Sequence, residues 1–118
     1  MAKQTNPDYL NGVPELVVLQ LLSRRPMYGY ELVRTIEQSS NQVFEFGEGC
    51  IYPVLHRLEK DANLASRRET VGGRSRVVYR VTAKGRKRLE TQTAVWQRIV
   101  GAVQEILQGD GNGKPAIA

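Results

Sequence analysis

Two arginines, Arg74 and Arg76, follow the pair Gly72-Gly73 in the middle of this sequence. Guanidinium groups bind phosphate oxygens through paired N–H donors. Adjacent glycines remove bulk where a backbone must approach another surface. A little earlier, Tyr52, Pro53, His56, Arg57 and Lys60 recur at spacings that gather them toward one side of a helix. Both groups belong to a wider basic block. Residues 57–88 carry eleven basic and three acidic side chains, a net of +8, against −2 for residues 1–56 and −1 for residues 89–118. The 118-residue chain as a whole comes to +5. A basic tail would imply a loose arm. A basic block inside a patterned region implies a folded surface aimed at a polyanion, with a solvated face as the competing reading.

Other chemistry finds little to work with. One Cys and one His cannot supply the roughly four ligands of a structural zinc centre, and a lone Cys excludes an intrachain disulfide. No phosphate-cradling Gly-rich loop and no nucleophile arrangement is present. Glu45 and Glu48 lie near His56 in sequence, but nothing constrains their geometry. The expectation is a protein that is not an enzyme and holds no cofactor and no metal. Cys50 reads as a small, partly buried residue, with a redox role as the alternative. No run of about 18 apolar residues and no secretory start occurs, so no membrane partner and a reduced, cytoplasmic setting are expected.

The elements that must position the basic groups follow from apolar spacing. Residues 1–12 are polar, with Pro7 and an Asn11-Gly12 pair, and read as an arm or short helix. Residues 14–25 open on Pro14 and are apolar on most faces, which predicts a buried helix. Tyr28, Leu32 and Ile36 predict a second helix over 28–39, and Gly29 near its start implies close approach by another element. Phe44 and Phe46 mark a connector tucked under the core. A third helix is predicted over about 49–62, with Ile51, Leu55 and Leu58 inward. Leu64 to Val71 and Val77 to Thr82 read as two strands joined by a tight tip at Gly72–Arg76. Thr82 is a good N-cap for a last helix from Ala83 to about Leu107. Leu89, Gln92, Trp96, Ile99, Val103 and Ile106 follow heptad spacing along it. A helix of ~25 residues spans roughly 37 Å, more than so small a domain covers, so half of it needs a partner from outside. Residues 109–118 read as a disordered tail.

The fold class is therefore mainly α with a small β-hairpin: a winged helix-turn-helix over 13–82 with a long C-terminal dimerisation helix over 83–108. A helix fits the major groove of DNA, where base edges are readable. A thin hairpin with arginines can reach the adjacent minor groove or backbone. In this frame the residues facing double-stranded DNA are Tyr52, Pro53, His56, Arg57, Lys60, Gly73, Arg74 and Arg76. Arg67 and Arg68, with Lys84, Arg86, Lys87 and Arg88, are additional candidates for phosphate.

The sequence also resembles the PadR family of bacterial transcriptional regulators. The resemblance rests on Glu15-Leu16-Val17-Val18-Leu19, Tyr28-Gly29-Tyr30-Glu31-Leu32, Gly49-Cys50-Ile51-Tyr52-Pro53-Val54-Leu55 running into Arg57-Leu58-Glu59, Gly72-Gly73-Arg74-Ser75-Arg76, and Tyr79-Arg80-Val81-Thr82 with Gly85. These pieces cover about residues 13–88. The single C-terminal helix is similar to that of the family's small-chain branch. The resemblance implies a homodimer through Leu89, Trp96, Ile99, Val103 and Ile106, and a repressor that blocks a promoter until a signal relieves it. Trp96 reads either as dimer core or, by the resemblance, as one wall of a pocket for a small aromatic effector. A two-fold axis predicts a pseudo-palindromic operator. The alternative function is a winged-helix protein–protein adaptor without a DNA role.

Overall fold

In the computed structural model, residues 12–109 are described. They form α1 (Gly12–Arg24), β1 (Met27–Tyr28), α2 (Gly29–Ser39), α3 (Glu48–Lys60), β2 (Leu64–Val71), β3 (Arg74–Val81) and α4 (Ala83–Gly109). Gly12 thus opens a helix and Gly109 closes one. The expected arm and tail otherwise lie outside the described residues.

The core is where the three short helices meet one face of the sheet. α1 contributes Val18, Leu19 and Leu22, α2 Leu32 and Ile36, and α3 Ile51, Leu55 and Leu58. Leu64, Tyr79 and Val81 close it from the strands. Burying each such apolar side chain contributes ~1.5–3 kcal/mol. Phe46 is buried and stacks on Phe44, ring centroids 5.1 Å apart, which pins the connector between α2 and α3.

The C-terminal ends of α2 and α3 are both closed by backbone chemistry. The Asn63 N–H donates to Leu58 C=O at 2.8 Å and the Ala62 N–H to Glu59 C=O at 2.9 Å. This is a Schellman closure, and it places Ala62 in the left-handed region at φ 65°. α2 ends the same way, with Gln42 N–H on Glu37 C=O and Asn41 N–H on Gln38 C=O. Pro53 lies in the second turn of α3. The Gly49 carbonyl that its missing N–H would have served is on an exposed residue, where water can serve it.

The sheet has three strands in the order β1-β3-β2, all antiparallel. The sequence predicts only the hairpin. β1 is two residues long, Met27 pairing Tyr79 and Tyr28 pairing Val78, too short to show any period. β3 also begins three residues earlier than expected. The hairpin tip is therefore Gly72-Gly73 alone, at φ +58° and +80°, with Val71 and Arg74 as the last pair. Two successive positive φ values are those of a type I′ turn, which only residues such as glycine adopt cheaply.

α4 starts from a well-tied root. Thr82 caps it, its Oγ1 accepting from the Gly85 N–H at 3.0 Å and donating to Ala62 C=O at 2.7 Å. Beyond its first half the helix leaves the core. Val95, Trp96, Ile99, Val103, Ile106 and Leu107 are all exposed.

Candidate nucleic-acid interface

Gly49, Pro53, His56 and Lys60 lie along the exposed side of α3, opposite buried Ile51, Leu55 and Leu58. Tyr52 sits at the edge of this strip and is half-buried. Its ring fills the space left by Gly29, where a Cβ would fall 2.5 Å from the tyrosine Cε1 and hydroxyl oxygen. The close approach expected at Gly29 is therefore made by Tyr52. Burial, with Glu48 adding to it, raises the Tyr52 phenol above its ordinary value. The His56 ring stands 6.2 Å from that of Tyr52 at 42°.

The wing meets this strip at its edge. Arg74 and Arg76 stand two residues apart on β3, so they share a face of the hairpin. They are strand residues, not loop residues, and register separates their surroundings. Arg74 pairs with Val71 beside the turn and is exposed, while Arg76 pairs with Glu69. The Arg76 guanidinium lies over the Tyr28 ring, 4.3 Å from its centroid. Such cation–π contacts contribute ~0.5–1 kcal/mol at exposed sites and hold the side chain in one place. Tyr28, Tyr52, His56 and Arg76 together line a cleft of about 340 Å³ between α2, α3 and the wing. With Tyr79, its lining combines a guanidinium, an imidazole and three phenols, groups able to donate to anionic oxygen.

The other basic residues divide. Arg67 is ion-paired to Glu69 at 2.9 Å and Arg68 donates to Ser75 Oγ at 3.2 Å. Lys84 turns back to donate to the Asp61 carbonyl at the end of α3, 2.7 Å away, where a cation also complements the helix dipole. Arg86 and Lys87 are exposed. Arg57 and Arg88 both reach Glu15. The Arg57 Nη2 stands 3.5 Å from Glu15 Oε1, and the Arg88 Nε donates to Oε2 at 2.5 Å. The hydrogen bond to Glu15 is the main reason the Arg88 guanidinium sits above its ordinary pKa.

Glu15 and Tyr28 are the residues that sequence reasoning missed. Glu15 carried a readable signal: it is a carboxylate set among Val13, Pro14, Leu16 and Val17, and a charge on an apolar helix must be paired if buried. Tyr28 carried none, because it reads as the first apolar position of a helix.

The expected dimer stripe also divides. Leu89 packs against its own chain's core, whereas Trp96, Ile99, Val103 and Ile106 are exposed. Trp96 borders an open cleft of about 340 Å³ between α4 and α1, lined also by Val13, Leu16, Val95 and Ile99. Among the described residues no helix is long and apolar enough to cross a membrane.

Comparison with known proteins agrees with this architecture. A transcriptional regulator, Rv3488, of Mycobacterium tuberculosis is 36% identical over 81 residues, 65% of this chain and 73% of that protein. A PadR family transcriptional regulator from Eggerthella lenta superposes with a TM-score of 0.74 at 30% identity, covering 86% of this chain and 87% of that one. A PadR-like transcriptional regulator from Bacillus cereus gives 0.75 at 30% identity, over 86% and 98% of the two chains. The sequence model of the Transcriptional regulator PadR-like family matches residues 18–91, from the middle of α1 into α4, and the chain belongs to that family.

Proposed function

We propose that the protein is a dimeric repressor that binds a pseudo-palindromic operator in double-stranded DNA. In this reading α3 enters the major groove with Pro53, His56 and Lys60 foremost and Tyr52 and Arg57 at its edges. The wing carries Gly73, Arg74 and Arg76 to the neighbouring backbone or minor groove. The observation that carries the reading is the convergence of α3 and the wing on one cleft, with Arg76 held there by Tyr28. Phosphate contacts of this kind fix register, while the few side chains that reach base edges specify sequence.

The dimer forms through the exposed α4 stripe, from Val95 and Trp96 to Ile106 and Leu107. So long an apolar row on one chain is an interaction surface. Two copies related by a two-fold axis place their α3 helices about one helical turn apart on DNA, ~10 bp or a multiple. A flat aromatic effector is part of the same reading. The Trp96 cleft is apolar and open on one side in a single chain, and a partner's α4 would close it. The protein contains one Trp, so quenching of its intrinsic fluorescence by an aromatic titrant tests this directly.

Fluorescence anisotropy of a labelled ~30 bp duplex from the protein's own promoter, against a shuffled duplex at two salt concentrations, tests the main reading. Tighter binding of the native duplex, weakening steeply with salt, is expected. Binding of neither duplex would favour the winged-helix protein–protein adaptor. The same outcome would remove the ground for reading the protein as a non-enzymatic DNA regulator.

A further inference from the structure

Among the described residues Glu15 is the one buried carboxylate, its side chain 8% exposed. Its two oxygens serve different helices. Oε1 faces Arg57 on α3, 42 positions away, and Oε2 accepts from Arg88 on α4, 73 positions away. Both arginines remain near half exposed, 50% and 44%, so each keeps N–H donors on the protein surface. A buried ion pair is a poor way to gain stability, because desolvation offsets most of the attraction and an apolar residue packs as well. What it supplies is direction. A carboxylate is planar and accepts at two fixed edges, so it holds two guanidinium groups at a set relation to each other.

We propose that Glu15 is a positioning residue for DNA binding. It fixes the angle between α3, which faces DNA, and α4, which carries the exposed apolar stripe. It also holds the Arg57 guanidinium at the edge of the α3 strip. In a dimer joined through α4, that angle sets the distance between the two α3 helices and so the half-site spacing the protein accepts. This rests on the DNA-binding reading above, and its test separates the two.

Glu15→Gln keeps the shape and removes the charge. Full-length protein in a Cys50→Ser background carries spin labels at Lys60→Cys, at the end of α3, and Gln97→Cys, on α4. Labelled chains are diluted with unlabelled ones, so that pulsed dipolar spectroscopy reads the distance within one chain. Glu15→Gln is expected to shift or broaden that distance while the far-ultraviolet circular dichroism is unchanged. Unlabelled wild type and variant are then titrated against own-promoter duplexes whose half-site spacing is changed by one or two base pairs. The wild-type preference, expected at about tenfold for one misplaced base pair, should fall to about twofold. An unchanged distance distribution overturns the proposal, even where the melting temperature falls. So does an unchanged spacing preference in a wild type that binds. If Glu15→Gln does not fold, Arg88→Gln, which cuts the α4 side from the surface, carries the same expectations. If wild type binds none of the duplexes, the DNA-binding reading fails and the DNA-positioning role of Glu15 falls with it, while a distance that shifts only in Glu15→Gln still shows that the carboxylate sets the α3–α4 angle.

Discussion

Replacing Gly85 by alanine should destabilise the protein, although alanine is the better helix former. Gly85 is in the first turn of α4 and is buried. A Cβ there would lie well under 3.0 Å from the Asn63 carbonyl oxygen and 2.9 Å from Val81 Cγ1. Against the oxygen that is more than an ångström inside ordinary contact, which begins at 3.4 Å. Neither side can yield cheaply. The Asn63 oxygen accepts from the Thr82 N–H at 3.1 Å, and its own N–H closes α3 on Leu58. Relief requires the root of α4 to move away, which strains the Thr82 bonds to Asn63 and Ala62, each contributing about 1 kcal/mol. Overpacking adds ~1–3 kcal/mol, and the helix-propensity gain returns ~1 kcal/mol. The net loss is about 2–4 kcal/mol, or roughly 10–15 °C in Tm for a chain of this size. Gly101→Ala is the matched control. It lies on the same helix with nothing within 4 Å of its Cβ position, on the side away from Trp96 at ~100° per residue. It should raise Tm by a few degrees through the ~1 kcal/mol propensity gain alone. Thermal melts by circular dichroism at one protein concentration read both. A Gly85→Ala protein that melts at or above the wild-type temperature would refute the close-approach argument.

Four further outcomes are expected. Ala62→Gly should raise Tm by a few degrees, since a left-handed residue with a Cβ costs ~1–2 kcal/mol and Ala62 stands at φ 65°; a lower Tm would contradict this. Arg74→Ala should weaken native and shuffled duplexes about equally and reduce the salt slope by ~0.9, one phosphate contact; an unaltered slope removes Arg74 from the interface. Trp96→Ala should weaken dimerisation at least ~30-fold if Trp96 is a central anchor, and sedimentation equilibrium measures it; an unchanged constant moves the interface elsewhere. Burial raises the phenols of Tyr52 and Tyr79, with Glu48 and Glu59 adding respectively. The folded protein thus keeps these protons to higher pH than the unfolded chain. Their contribution is complete below about pH 10 and is lost as pH climbs through the folded values. Melts across the alkaline range should show the decline, and Tyr79→Phe should make it shallower; an equal decline in both proteins would assign it to other groups.

The helices and the hairpin were legible because each has a period. Leu32 and Ile36, Ile51 with Leu55 and Leu58, and the Tyr79–Val81 alternation each name a buried face directly. The outward strip of α3 follows as the complement of its inward one. What could not be read were relations between distant segments. β1 is too short for a pattern, and its pairing with β3 gives Tyr28 its place under Arg76. Arg57 and Arg88 read as two more members of a basic block until the buried carboxylate between them is located. The hairpin tip reads longer in the sequence than it is, because Ser75 and two arginines look like loop residues. The ladder nevertheless continues to Arg74, since two glycines are all that a type I′ turn requires.

The position of β3 in the sheet also sets an order of assembly. β3 is the central strand, and both its neighbours depend on it, β1 from the N-terminal third of the chain included. The carboxylate on α1 waits longer still, for Arg88. During synthesis α1, α2 and α3 emerge with apolar faces and a carboxylate that has Arg57 within reach but not yet Arg88, and pairing of such distant segments is the slow kind of contact to form. The native core is complete only after the wing and the first turns of α4 have emerged. The wing and the root of the helix that carries the apolar stripe are therefore both needed before the core is complete.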